Sequence, residues 1–250
     1  MNNCFKCARY LLRYFALSVI FSASVLAGIE NRPLNTAEAT LLEPGHFSLA
    51  AGVQYLKQSD GSREYGIVTD LEYGFFKRFE VDLEVPFSRL TQGDAPDQSG
   101  LRDMSVWLGC NLAKEEQAYP ALTAALSWKT TTGNQDKQLG TGENTYQGIV
   151  LASKTFGKTS AHFNGSYTFA DNPALGWNLA VKHGITDKLT LAAEMYGQND
   201  QKASGNNTTD GLIGAIYAFS PSVLLDLGIG RGFTSASPDL RITGGISCFW

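Results

Sequence analysis

Cysteine is scarce. Of the four in 250 residues, Cys4 and Cys7 fall at the very start, and only Cys110 and Cys248 lie beyond. Two such cysteines make neither a disulfide framework nor a thiolate metal site. Charged residues are few, at 18%, and aromatics reach 11%, the wrong balance for a disordered chain. The formal net charge of -4 offers no basic excess for a nucleic-acid surface. Long apolar runs are also missing. The mean hydropathy of -0.13 is too polar for a helical membrane bundle. After residue 45 nothing carries the 3.6-residue spacing of a long amphipathic helix. What the chain has instead is glycine, 26 residues, with 10 Tyr and 14 Phe. Without a collagen period, that mixture points to many strands joined by tight turns.

The exception to the missing runs is at the N-terminus. Lys6, Arg9 and Arg13 precede a 14-residue apolar stretch, Tyr14 to Ala27, that ends in Val25 and Ala27. Positive start, short apolar middle and small residues at the -3 and -1 positions are the order of a secretory signal peptide, too short to span a bilayer as a helix. Cleavage after Ala27 is expected to leave 223 residues with seventeen bases against twenty-four acids. Residues 28–45 then read as an arm, periplasmic or entering a lumen, with room for a brief helix at 36–42. Residues 46–250 read as one further domain.

That domain alternates with a period of two almost throughout. Twelve strands are expected, at roughly 46–57, 64–75, 79–89, 103–112, 121–131, 144–155, 160–170, 174–184, 188–197, 209–219, 222–231 and 239–250. Val81, Leu83, Val85 and Phe87 face away from Asp82, Glu84 and Ser88; Val223, Leu225, Leu227 and Ile229 face away from Asp226. A soluble sandwich alternates too, but three features favour a membrane barrel. The strands are long enough for a tilted span. Connections around 76–78, 156–159, 185–187 and 220–221 are tight, whereas those around 90–102, 132–143 and 198–208 are long and polar. The chain ends GGISCFW, with Trp250 in register with Ile242, Ile246 and Cys248, as suits a strand meeting the membrane interface. The fold class expected is therefore all-β: a transmembrane antiparallel barrel of twelve strands in the bacterial outer membrane. It must close, because an open edge would leave amides unpaired in hydrocarbon. An even count puts both ends of the barrel on the periplasmic side with the tight turns. Tyr65, Tyr73 and Trp107 are expected in the interface belts.

Several stretches carry a resemblance: RPLNTAEATLLEPGHFSLAAGVQY (32–55), LEVPFS (83–88), SWKTTTG (127–133), GTGENTYQGIVLASKTFG (140–157), HFNGSYTF (162–169), LTLAAEMYG (189–197) and SPDLRITGGISCFW (237–250). They resemble the outer-membrane transporters grouped as the phenol meta-degradation pathway family, over nearly the whole chain after the N-terminal segment. The resemblance implies a β-barrel that passes small aromatic or other organic molecules. It carries no catalytic signature.

Ionisable residues are costly in lipid, so the strand charges are expected to face a lumen. The candidates are Asp70, Glu72, Asp82, Glu84, Arg89, Lys129, Lys154, Lys182, Glu194, Asp226 and Arg241. They either select a solute or pair with one another and stiffen a narrow barrel. The leading function is passive passage of a small organic solute, aromatic or hydrophobic, with charge and the 132–143 loop setting selectivity. The alternative is a closed barrel with a structural or surface-binding role. A lipid hydrolase ranks third. His162, Asn164 and Ser166 share one face, but residues four apart on a strand are about 13 Å apart, too far for proton transfer. No enzyme activity, cofactor or metal is expected. The glycines at 140–142 lack the Lys-Ser/Thr and helix of a phosphate loop, and Asp94, Asp97 and Asp103 lack calcium-loop spacing. The expected partners are outer-membrane lipids, lipopolysaccharide, the outer-membrane assembly machinery and the solute; nucleic acid is not among them.

Overall fold

A computed structural model describes residues 32–93, 95–200 and 207–250. The expected targeting segment, 1–27, lies outside them. The period-two pattern becomes β1 (Phe47–Lys57), β2 (Arg63–Phe76), β3 (Phe79–Thr91), β4 (Gln98–Leu101), β5 (Ser105–Ala113), β6 (Ala121–Lys129), β7 (Thr145–Phe156), β8 (Thr159–Phe169), β9 (Ala174–Gly184), β10 (Leu189–Asp200), β11 (Thr208–Ser220), β12 (Val223–Gly232) and β13 (Leu240–Phe249). Neighbours pair antiparallel, and β1 pairs with both β2 and β13, so the sheet closes on itself. Closure gives every strand except the short β4 two partners, the condition for crossing hydrocarbon.

The wall has twelve staves, as the sequence indicates, because β4 and β5 together make one. β5 pairs with Phe79–Glu84 of β3, and β4 pairs with Phe87–Leu90. Pro86 sits at the break. Its carbonyl accepts from the Arg102 N–H at 2.9 Å, so its missing N–H faces the same neighbour, and the ladder lapses there for want of a donor. The sequence reading placed residues 98–101 in a polar loop. The proline lets that stretch rejoin the sheet after a gap.

Alternation sorts the side chains. Val53, Ile67, Leu126, Val150, Leu179, Ile213 and Leu227 are exposed on the outside, where lipid covers them. Ser48, Ser88, Thr123, Ser153, Asn164, Glu194 and Ser247 are buried on the inside. Aromatics ring both ends. At one, Phe47 stacks on Tyr73 at 4.3 Å and on Trp250 at 5.9 Å; at the other, Tyr55 meets Tyr65 at 5.2 Å. Trp107 is a correction. It shares the inward face of β5 with Ser105 and lines a cavity, because its parity follows Ser105 and Asn111 and not the outward Val106 and Leu108. The tight connections at 77–78, 157–158, 185–188 and 221–222 all lie at the Phe47–Trp250 end, which is the periplasmic end by the usual asymmetry of such barrels. The opposite end carries the long connections, although 58–62 and 170–173 there are short.

On the periplasmic side the β5–β6 connection folds back over Lys154. The ammonium bonds to the carbonyls of Glu116, Gln117 and Tyr119 and to Glu115, while the Glu115 carboxylate accepts from the Thr155 N–H and hydroxyl. Slight burial pushes the Glu115 carboxyl up. The bonds from Thr155 and Lys154 outweigh it and hold the group below its ordinary 4.5. A depressed carboxyl contributes stability that is complete above the ordinary value and lost as pH falls through the folded one. Protection of the amides of residues 114–120, relative to their intrinsic exchange rates, is therefore expected to hold down to pH 4.5 and to fall below it. Glu115→Gln should remove that dependence.

Candidate functional site

The arm predicted before the barrel lies inside it and runs along the wall. No helix forms at 36–42. The extended backbone instead spends its donors and acceptors on inward side chains, strand after strand. Leu42 N–H donates to Glu80 of β3 at 2.5 Å, and Thr123 of β6 and Asn111 of β5 donate to the Ala39 carbonyl at 2.6 and 3.1 Å. Ala39 N–H donates to Ser153 of β7, and Ala37 exchanges two bonds with Asn164 of β8. Glu38 pairs with Lys182 of β9 at 2.6 Å. Asn35 and Thr36 send both backbone N–H groups, an amide and a hydroxyl to Glu194 of β10, all within 2.7–3.0 Å. Arg32 ends the course on Asp226 of β12 and Thr243 of β13. The partners follow the order of the wall, so eleven residues form an inner collar. A helix would have satisfied its own amides and released the wall.

Glycine makes room for this path. A Cβ on Gly52 would overlap the Arg32 guanidinium, whose atoms are its nearest neighbours. Gly52→Val is accordingly expected to push Arg32 off Asp226 and lower stability by about 1–3 kcal/mol through overpacking. The check is the thermal midpoint of the heat-modifiable gel shift. An unchanged midpoint would mean that Arg32 does not bind there.

A second segment enters from the extracellular end. The Asp103 carboxylate accepts from the N–H of Gly133 and from the N–H and hydroxyl of Thr141 at 2.7–3.0 Å. These bonds fold the β6–β7 loop inward over the gap between β4 and β5. Leu139 at its centre is buried, Asn134 caps the 3-10 turn Gln135–Lys137, and Gln138 adopts φ 58° while accepting from Gln92. Asp97 pairs with Arg89, while Asp103 holds the folded loop. Asp94 lies outside the described residues.

Three cavities lie in sequence along the interior. The outermost, 770 Å³, is bounded by Arg32–Asn35 and by Gln135–Thr141 of the folded loop. The middle one, 470 Å³, shares Asn35, Glu72, Asp82 and Glu84 with it. The third, 410 Å³, shares Glu38 and Thr40 with the middle one and reaches the periplasmic turn residues Lys158, Asp187 and Lys188. Eight carboxylates line the two upper cavities: Glu38, Glu64, Asp70, Glu72, Glu80, Asp82, Glu84 and Asp103. The cations there are Arg32, Arg102, Lys129 and Arg241. The acids concentrate on β2 and β3, where Asp70 opposes Glu84 and Glu72 opposes Asp82. Like charges directly opposed across strands cost stability, so these carboxyls are crowded onto one wall at a cost to the fold. Trp107, Ile149 and Leu151 give the middle cavity an apolar side, and Tyr196 lines it from β10.

Of the sequence candidates, Asp70, Glu72, Asp82, Glu84 and Lys129 line the upper cavities. Lys182, Glu194 and Asp226 also point inward but grip the arm. Arg241 donates to Asn35 at 2.8 Å and lies over the Tyr196 ring. Two candidates are corrected. Arg89 is outward, exposed and paired with Asp97 at 2.5 Å, because it shares parity with Val85 and Phe87. Lys154 shares parity with Val150 and Phe156, both exposed, and turns to the periplasmic loop. Both sit near strand ends, where a long cationic side chain reaches polar partners beyond the hydrocarbon. Glu64 and Glu80 were missed, though each continues the inward parity of Asp70 and Asp82. His162 does not reach Ser166. Its Nδ1 meets Ser153 Oγ at 2.9 Å and its Nε2 meets Ser160 Oγ at 2.8 Å. Ser153 also accepts from the arm at Ala39, so the imidazole is seated by two hydroxyls. The Glu38 carboxylate stands 3.9 Å from Nε2, on the Ser160 side, away from the Nδ1 that an orienting acid would hold.

The sequence profile of the family described as "Putative MetA-pathway of phenol degradation" matches residues 30–248. Among solved structures, an outer membrane channel from Pseudomonas putida F1 superposes with a TM-score of 0.68 at 17% identity, covering 84% of this chain and 97% of that one. The NanC porin follows at 0.61 and 11%, covering 80% and 98%, and the KdgM porin at 0.56 and 9%, also covering 80% and 98%. No curated protein matches the sequence.

Proposed function

The chain belongs to the phenol-degradation family whose profile spans it, a β-barrel of the bacterial outer membrane, and from that premise we propose that it is a passive channel for a small organic solute. The observation that carries the reading is the run of three adjoining cavities from the folded loop to the periplasmic turns. A spanning barrel that served only as a scaffold would do better to fill this space with packed side chains, since voids cost contacts. The acidic wall favours neutral or cationic solutes over anions, because a narrow low-dielectric lumen strengthens the field of its charges. Trp107, Ile149 and Leu151, which pack together on β5 and β7, supply the middle cavity with a surface for an apolar or aromatic body. Passage needs no energy source and no chemistry on the solute. We infer that the protein is not an enzyme: His162 is held between the hydroxyls of Ser153 and Ser160, and Ser153 is itself engaged by the arm.

A closed barrel is the second reading, and the collar is what favours it, since the arm narrows the lumen at each of the three cavities. The experiment that separates the two is single-channel recording of the purified full-length barrel in planar bilayers. The channel reading expects discrete steps. Silent bilayers, together with liposomes that retain small aromatics, would establish the closed barrel.

A further inference from the structure

The outward face of the extracellular rim is unevenly charged. On β6–β9 it ends in Trp128, Tyr146, Phe169 and Leu175, with Trp177 one step below and no base among the described residues. On β12, β1, β2 and β3 it ends in Arg231, Lys57, Arg63 and Arg89, all exposed. Lys57 stands directly opposite Arg63 across β1 and β2, with Leu240 on its other side. Arg89 lies opposite Tyr65, one step further into the membrane. Neighbouring like charges of this kind repel. The nearby acids do not neutralise the pair: Asp97 is engaged by Arg89, Asp60 accepts from Ser62, and Asp239 lies at the edge of β13 beside Arg231. No carboxylate among the described residues comes within ion-pair distance of Lys57 or Arg63.

Below this row the wall is apolar and grooved. The Tyr55–Tyr65 pair lies under Lys57 and Arg63. Further round the barrel, across β13 and below Arg231, Ala193, Gly211 and Ala215 of β10 and β11 stand among Leu179, Ile213 and Ile229. Two adjoining hollows of 660 and 780 Å³ result, with Arg231 at the upper edge of the first. The hollows share Val181, Ala193, Ile213 and Ile229, so they form one groove running down from the extracellular rim.

We propose that this sector of the outer wall binds the phosphorylated, multiply acylated lipid of the outer leaflet, the lipid A part of lipopolysaccharide. Its phosphates lie against Lys57, Arg63 and Arg231 and one acyl chain lies in the groove. A phosphate oxygen offers the guanidinium and ammonium groups charge-assisted hydrogen bonds and relieves the repulsion between Lys57 and Arg63. The small residues of the groove give a chain a fixed seat, which a smooth wall does not. The aromatic rim of β6–β9 has no such charge and makes only the general interface belt. The inference rests on the membrane orientation and is independent of whether the lumen conducts.

The test is native mass spectrometry of the full-length barrel released from detergent after incubation with hexa-acyl, bis-phosphoryl lipid A. One lipid is expected to remain bound. Lys57→Gln/Arg63→Gln/Arg231→Gln should weaken retention at least about tenfold, the loss of one or two charged contacts. Ala193→Leu/Ala215→Leu, which fills the groove and keeps every charge, should weaken it as well. Lys158→Gln/Lys188→Gln, on the periplasmic turns, should not. Heat-modifiable migration confirms that each variant is folded. Equal retention by wild type and the triple variant would overturn the proposal. So would equal retention of phosphatidylglycerol, or a lipid-free dimer that is lost in the groove variant.

Discussion

Deleting residues 32–42, so that residue 31 joins residue 43, is expected to raise single-channel conductance severalfold. The collar puts backbone against the inner wall from β3 round to β13, and its removal merges the spaces it divides. The barrel should survive, because closure depends on the β1–β13 ladder of ten residue pairs and not on the arm. The wall groups released by the deletion, Glu194, Asp226 and Lys182 among them, would meet water in the widened lumen, so no buried charge is stranded. Glu194→Ala is the single-residue version. That carboxylate gathers five hydrogen bonds from Asn35 and Thr36, and bonds to a charged acceptor are worth about 1.5–3 kcal/mol each where they count independently. Its loss should free the arm's middle without detaching its ends on Glu80 and Asp226. Current should rise less than in the deletion and fluctuate more. Unchanged conductance in both proteins would place the arm outside the conduction path.

Neutralising the acidic wall should have the second large effect. In Asp70→Asn/Glu72→Gln/Asp82→Asn/Glu84→Gln the eight carboxylates lining the upper cavities fall to four, equal to the four cations there. Wild type is expected to prefer potassium over chloride, and the quadruple variant to lose most of that preference. The reason is local. Net charge on the chain as a whole acts weakly through salt, whereas charges on a narrow lumen act within the roughly 8 Å over which physiological salt screens them. Zero-current potentials across a salt gradient report the ratio directly. A variant with the wild-type potential would mean that ions do not pass along the β2–β3 wall.

The twelve staves were legible because period-two alternation survives in every strand, and both faces of a barrel must obey it. Parity alone also gives Asp70, Glu72, Asp82 and Glu84 their inward direction, and would have given it to Glu64 and Glu80. Arg89 and Lys154 show where the cost of charge in lipid misleads. That cost applies at mid-bilayer, and both residues sit near strand ends where parity should have prevailed. The collar was barely legible. Its residues, RPLNTAEATLL, carry no period of their own and read like a linker, and what fixes it is a set of partners scattered over nine strands, from Glu80 to Thr243. Each is an ordinary inward polar residue, and only closure brings them onto one path. The Pro86 gap was equally hidden: proline forbids one bond, but only the neighbouring strand shows which one.

The most direct measurement of the account is efflux from liposomes holding the wild-type barrel and two trapped aromatic solutes of matched size, one cationic and one anionic. The account predicts that both leave faster than from protein-free liposomes, and that the cation leaves first. Retention of both solutes, or faster loss of the anion, would contradict it.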